Sequence, residues 1–247
     1  MTPVLALLYW GLGPLSDPIG YGPEIQKGIA LSLLASGMTV VLDIVLFTAL
    51  SYYLARSRNI IAETLVDIPA SIPHPVVGIS LLVIDSPLTP SGRFLTSIGL
   101  NFFDSVLGLV VALTVISAPI YIKSMQPFFE SMNQAHEEYA LGMGASRMKT
   151  FLSVVIPNST RGIVTASLIA LSRAMSEFGS IAIIAFAVVS APFGLSGTSP
   201  ASVQVYDLFT YYGLGPAVTA SAVLVLVSIP LMIALRLVRG GLRVEKE

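Results

Sequence analysis

With 247 residues, 54% of them apolar and only 11% charged, and a mean hydropathy of +0.83, the chain lies far outside the soluble globular class, in which about a quarter of residues are charged. The composition predicts a bilayer protein, and a net charge of −1 with cations scattered through short loops argues against a nucleic-acid partner. Cysteine is absent, which excludes disulfides and thiolate metal sites, and His74 and His136 are too far apart in sequence to suggest a metal centre.

Residues Met1 to Gly13 are apolar but short, and Pro14, Pro18 and Pro23 follow almost at once. A spanning helix needs about 20 apolar residues, so this piece fits a shortened first span, an interfacial segment or the remnant of a longer start better than a signal peptide, which would carry a basic start. Gly28 to Ala55 holds one acidic residue, Asp43, and reads as a span with a basic exit at Arg56 and Arg58. Ile60 to Ile84 is a second span, broken by Pro69, Pro73 and Pro75 around His74, and such breaks survive only inside protein or beside water. Asp85 to Asp104 is a polar loop, and Ser105 to Ile122 is an uncharged span with Pro119 and Lys123 at its far end.

Residues 125–161 form the one long polar passage. Phe129, Met132, His136, Tyr139, Ala140 and Met143 recur at helical spacing as a semi-apolar face, opposite Glu130, Asn133, Gln134, Glu137 and Glu138. Gly142 and Gly144 tolerate positive φ at a helix end, and Ser146 is placed as the N-cap of a second helix, whose stripe of Met148, Phe151, Leu152 and Val155 runs to the break at Pro157. Gly162 to Val189 is the next span, with Arg173 and Glu177 one turn apart in its interior. Ala191 to Gly215 is a loop with an amphipathic centre at 203–209, and Pro216 to Leu235 is the last span.

The predicted fold is all-α and polytopic: five spans, a short N-terminal sixth as an option, and one transmembrane domain over 1–247 with its core at 28–238. If the spans alternate, Arg56, Arg58, Lys123, Arg147, Lys149, Arg161, Arg236, Arg239, Arg243 and Lys246 share one side, against Lys27 and Arg93 on the other. The positive-inside bias makes the 125–161 loop and the C-terminus cytoplasmic, in a multi-pass cell-membrane protein.

Three stretches carry a family resemblance. Glu138-Tyr139-Ala140, three residues, Gly144, nine residues, then Val154-Val155-Ile156-Pro157 resembles the E-A-A-x3-G-x9-I-x-L-P loop of ABC importer permeases, with Tyr139 in place of a small residue. Arg173-Ala174-Met175-Ser176-Glu177-Phe178-Gly179 and Ile72-Pro73-His74-Pro75-Val76-Val77-Gly78-Ile79 resemble segments of permeases for tetrahedral oxyanions. The resemblance covers nearly everything from Gly28 to Val238 and implies a type I permease fold. It further implies a homodimer with two cytoplasmic ATPase subunits and an extracytoplasmic oxyanion-binding protein. Transport would proceed by alternating access, with molybdate or tungstate favoured over sulfate because of His74. Glu137, Glu138, Tyr139, Ala140, Gly144, Ala145, Ser146 and Pro157 would form the ATPase-coupling loop, and Pro73, His74, Pro75, Arg173, Ser176, Glu177, Phe178 and Gly179 the pathway or gate.

The residues keep some choices open. Arg173 and Glu177 serve equally as an internal brace or as a pathway element, and His74 as a satisfied interior group or a substrate contact. Asp43 and Asp67 fit simple helix–helix hydrogen bonding, and Ser32, Ala35, Ser36 and Gly37 fit close helix packing. No G-x-x-x-x-G-K-[ST] occurs, so no cofactor is expected on this chain; ATP and Mg would sit on the partner. The chain is expected to be non-catalytic. A secondary transporter is the rival reading, but related halves, its usual mark, are not evident.

Overall fold

The computed structural model describes residues 2–57 and 59–244; Met1, Arg58 and Lys246, the latter two counted above as cations, lie outside the described residues. Helices account for nearly all regular structure among them. In chain order these are α1 (Thr2–Leu12), a 3₁₀ turn (Pro18–Tyr21), α2 (Pro23–Ser57), α3 (Ile60–Ser71), α4 (His74–Asp85), α5 (Pro90–Ser97) and α6 (Val106–Ser131). There follow α7 (Ala135–Gly142), α8 (Arg147–Thr150), a π-helical stretch (Phe151–Val155), α9 (Ile156–Asn158), α10 (Thr160–Met175), α11 (Ile181–Ile184), α12 (Ala201–Tyr212) and α13 (Leu214–Val244).

The centre of the bundle is α2 packed on α6, with α10 against both. One apolar cluster gathers Leu31, Ala35, Leu109, Leu113, Ile184 and Val203 toward one end, and a second gathers Tyr121, Met125, Phe129, Val155, Ala166 and Ala170 toward the other. Between them polar groups pair across helices: Ser117 donates to Asp43 at 2.7 Å, and the Thr48 and Tyr121 hydroxyls meet at 2.7 Å. Asp43 therefore bonds a neighbouring helix, as its isolation in an apolar run suggests, while Asp67 pairs at 3.1 Å with Lys123 on exposed surface. Ala35 and Ser36 are buried in close packing, whereas Gly37 faces open space and takes no part in it.

Two expected spans differ in extent. α6 runs through Pro119 and Pro127 to Ser131 because Tyr121, Met125 and Phe129 are fully buried along it, so tertiary packing outweighs the lost amide donors. The span expected at 162–189 stops at Met175 instead, and the chain turns through Ser176–Gly179 into the short α11. α2 and α6 are long and apolar enough to cross a membrane alone. The pair α3–α4, bent by 102° at Ile72–Pro73, and the pair formed by 147–158 and α10, bent by 73°, qualify only as broken spans. At the N-terminus, α1 lies along α13 at close range: a Cβ at Gly11 would stand 2.6 Å from the Val218 carbonyl oxygen. The Asp17 amide donates to the Thr219 hydroxyl at 3.0 Å and fixes the same contact further along.

Candidate functional site

The polar passage folds into a bent corner at one end of the bundle. Met132, extended at ψ 135°, ends α6 and resets the helical phase before α7 begins. That reset overturns the face expected from periodicity. Tyr139 and Met143, expected on the semi-apolar face, are 72% and 83% exposed, whereas Glu137, expected on the opposite polar face, is buried. Arg56 donates to the Glu137 carboxylate at 2.6 Å, and the Tyr52 hydroxyl donates to its other oxygen. Arg56 also donates to the Phe129 carbonyl at 2.8 Å, which ties the end of α2 to the end of α6 and to α7. Neither Tyr52 nor Arg56 was marked by the sequence as more than the exit of a span. Glu138 and His136 are exposed, and Ala140 is buried.

Gly144 turns the corner with φ +87°, while Gly142 stays helical at the end of α7. A Cβ on Gly144 would meet nothing within 4 Å, so the glycine is required by its backbone conformation and not by crowding. The Ala145 amide returns to the Ala140 carbonyl at 3.1 Å, and Ser146 caps α8 by accepting from the Lys149 amide at 3.3 Å. The expected second stripe is only half formed: Val155 is buried and Phe151 packs on Tyr52, but Met148 and Leu152 are 67% and 57% exposed. The cause is the π stretch, where the Ile156 amide reaches back five residues to Phe151 and shifts the helical phase. Pro157 follows in α9, and the helix breaks at Ser159 before α10.

The second constellation forms where α10 ends and α4 begins. Arg173 sits in the last turn of α10 and Glu177 in the turn after it, so the pair bridges a helix terminus and not a helix interior. Glu177 is 1% exposed and saturated with donors. Arg173 reaches its Oε2 at 2.9 Å, the Ser180 amide and hydroxyl reach its Oε1 at 2.9 and 3.1 Å, and His74 Nδ1 lies 2.9 Å from Oε2. Arg173 Nη2 lies 2.8 Å from His74 Nδ1 and 2.9 Å from its Nε2, so the guanidinium sits against the imidazole between its two nitrogens. Arg173 also donates to the Ser176 hydroxyl at 3.3 Å. Two glycines let the backbones meet: a Cβ at Gly78 would be 2.6 Å from the Ser180 carbonyl oxygen, and one at Gly179 would be 3.2 Å from His74 Cβ. Pro73 and Pro75 open α4, and Phe178 packs on Tyr206 with ring centres 5.3 Å apart. All eight residues expected in the pathway thus converge. Glu177 has both oxygens occupied, whereas Arg173 and His74, 22% and 36% exposed at the side chain, keep an open side.

Among the described residues no group of three His, Cys, Asp or Glu is arranged to hold a metal ion. A cleft of about 430 Å³ opens between the start of α2 and α12, where burial pushes the Asp207 carboxyl up from its ordinary pKa.

Residues 44–244 match the family described as binding-protein-dependent transport system inner membrane component. A molybdate/tungstate transport system permease protein of Pyrococcus furiosus is 31% identical over 222 residues, covering 88% of this chain and 80% of its own length. A sulfate transport system permease protein of Synechocystis sp. is 30% identical over 212 residues, covering 85% and 71%. The crystal structure of a bacterial ABC transporter that imports alginate matches the fold with a TM-score of 0.66 at 16% identity, over 99% of this chain and 89% of that one. An inward-facing methionine ABC transporter matches with a TM-score of 0.57 at 19% identity, over 89% and 92%.

Proposed function

The chain belongs to the binding-protein-dependent transport system inner membrane component family, and from that premise we propose that it is the permease subunit of an ABC importer for a tetrahedral oxyanion, molybdate or tungstate before sulfate. The observation that carries the reading is the corner at α7. Its exposed Tyr139, Leu141 and Met143 offer a docking surface, held rigid from behind by the buried Glu137–Arg56 pair. The permease works as a homodimer, with two ATPase subunits docked on this corner from the cytoplasm and a binding protein delivering the anion to the opposite face. ATP and Mg stay on the ATPases, and their closure pushes the corners and switches the pathway between outward and inward access.

Arg173 and His74 line that pathway. An oxyanion passing the open side of Arg173 meets a guanidinium whose charge Glu177 already offsets at 2.9 Å. The anion is guided without being trapped, and affinity resides in the binding protein. Molybdate and tungstate are placed first because of His74 in the Pro73–Pro75 break and the relatives with that cargo; the sulfate relatives, nearly as similar, keep sulfate as the second reading. The test is ATPase stimulation and uptake by the chain reconstituted with its ATPase and binding protein, comparing molybdate, tungstate and sulfate. Stimulation by molybdate or tungstate alone supports the first reading and by sulfate alone the second. Uptake driven by an ion gradient without ATP overturns both.

A further inference from the structure

Building on the importer reading, we propose that the cleft behind α7 receives one acidic side chain of the docked ATPase subunit. The cleft, of about 420 Å³, is walled by Tyr53 and Arg56 at the end of α2, Glu137 and Leu141 on α7, and Arg147 and Thr150 on α8. It is large enough for a side chain and too small for a helix.

Its chemistry asks for a carboxylate. Arg56 and Glu137 offset each other at 2.6 Å, which leaves the charge of Arg147 uncompensated; among the described residues no carboxylate pairs with it. Two buried donors in the same wall lack any acceptor: the hydroxyl of Thr150, a residue 4% exposed, and Nε of Arg56. Orphaned buried donors are rare in folded proteins because each forfeits its hydration without return. One entering carboxylate neutralises the wall, and a small rotation of the Thr150 side chain toward the cleft would give its hydroxyl an acceptor. The surroundings favour a protein as its source. α7 and α8 build half the cleft, and the same corner exposes Tyr139 and Met143, apolar surface that a docked subunit covers.

The experiment measures association of the full chain, in nanodiscs with and without anionic phospholipid, with its ATPase subunit across a salt series. Arg147→Gln is expected to weaken association about tenfold and to flatten its salt dependence. Thr150→Val is expected to weaken association severalfold while raising the thermal stability of the free chain, since it removes an unpaired buried hydroxyl; a purely structural role for Thr150 predicts no loss of association. If the wild-type chain binds the ATPase and both variants bind equally well, the cleft proposal fails and the importer reading stands. If the wild-type chain binds no ATPase, the importer reading fails and the proposal with it. Loss confined to nanodiscs containing anionic phospholipid assigns the cleft to a lipid headgroup and also overturns the proposal.

Discussion

The molecule buries a glutamate against an arginine in two places, and the two pairs are built differently. Glu177 meets Arg173 four residues away and draws further donors from Ser180, including its backbone amide, so most of its support is local. Glu137 meets Arg56 and Tyr52 from more than eighty residues earlier in the chain, by side chains alone. The first pair consolidates a turn at the broken end of α10; the second clamps α7 to the end of α2. A locally saturated carboxylate is a fixture, whereas one held only from a distance is a joint.

The largest expected effect tests the fixture. Arg173→Gln leaves the Glu177 carboxylate buried with one cation fewer, and breaking a buried pair costs about 3–5 kcal/mol, so folded, membrane-inserted chain should fall sharply. Arg173→Gln with Glu177→Gln should restore abundance, because neither partner is left charged and alone. Recovered abundance without recovered uptake assigns Arg173 to the pathway; a double variant no more abundant than the single counts against a bracing role for Glu177.

Next comes the corner itself. Gly144→Val forces a β-branched residue into φ +87°, at a cost of about 1–3 kcal/mol. The clash-free space around Gly144 means that the strain acts on the backbone alone. Insertion should therefore survive, while ATPase pull-down and uptake from the same preparation are lost. Unchanged pull-down with unchanged uptake would remove the coupling role from this loop.

The joint gives a signal of comparable size. Glu137→Ala orphans the Tyr52 hydroxyl and part of Arg56, a loss of roughly 1–3 kcal/mol, and should lower thermal stability and uptake together. Glu138→Ala, at an exposed neighbour, should leave thermal stability unchanged. Equal melting shifts for the two would contradict the joint.

Much of this was legible in the sequence for a physical reason: the features that could be read act over short range. The positive φ of Gly144, the cap at Ser146, the break at Pro73 and the pairing of Arg173 with Glu177 each depend on neighbours within a few residues. The burial of Glu137 was not legible, since its partners come from another helix and the phase reset at Met132 precedes it. The continuation of α6 through two prolines and the stop of α10 at Met175 were likewise set by packing, the latter by the approach of Gly179 to His74.

The smallest expected effect lies away from both pairs. Burial raises the folded-state pKa of Asp207 above its unfolded value, so ionisation costs stability. That cost is absent below the unfolded pKa and complete once pH exceeds the folded one, which makes stability fall as pH rises through the window. Asp207→Asn should flatten the melting temperature against pH from about pH 4 upward, by an amount within about 0.5 kcal/mol. A variant with the same pH slope as the wild type would contradict this.

The π stretch between α8 and α9 has a mechanical meaning. An α-helix advances about 100° per residue, and the wider ring at Phe151–Val155 stores one residue beyond the α-helical count. Passing that surplus along the chain turns whatever follows by about 100° relative to whatever precedes it, with no covalent stretch and few hydrogen bonds exchanged. The axis of that turn is the one shared by α8 and α9, and the 73° bend at Ser159 separates it from the axis of α10.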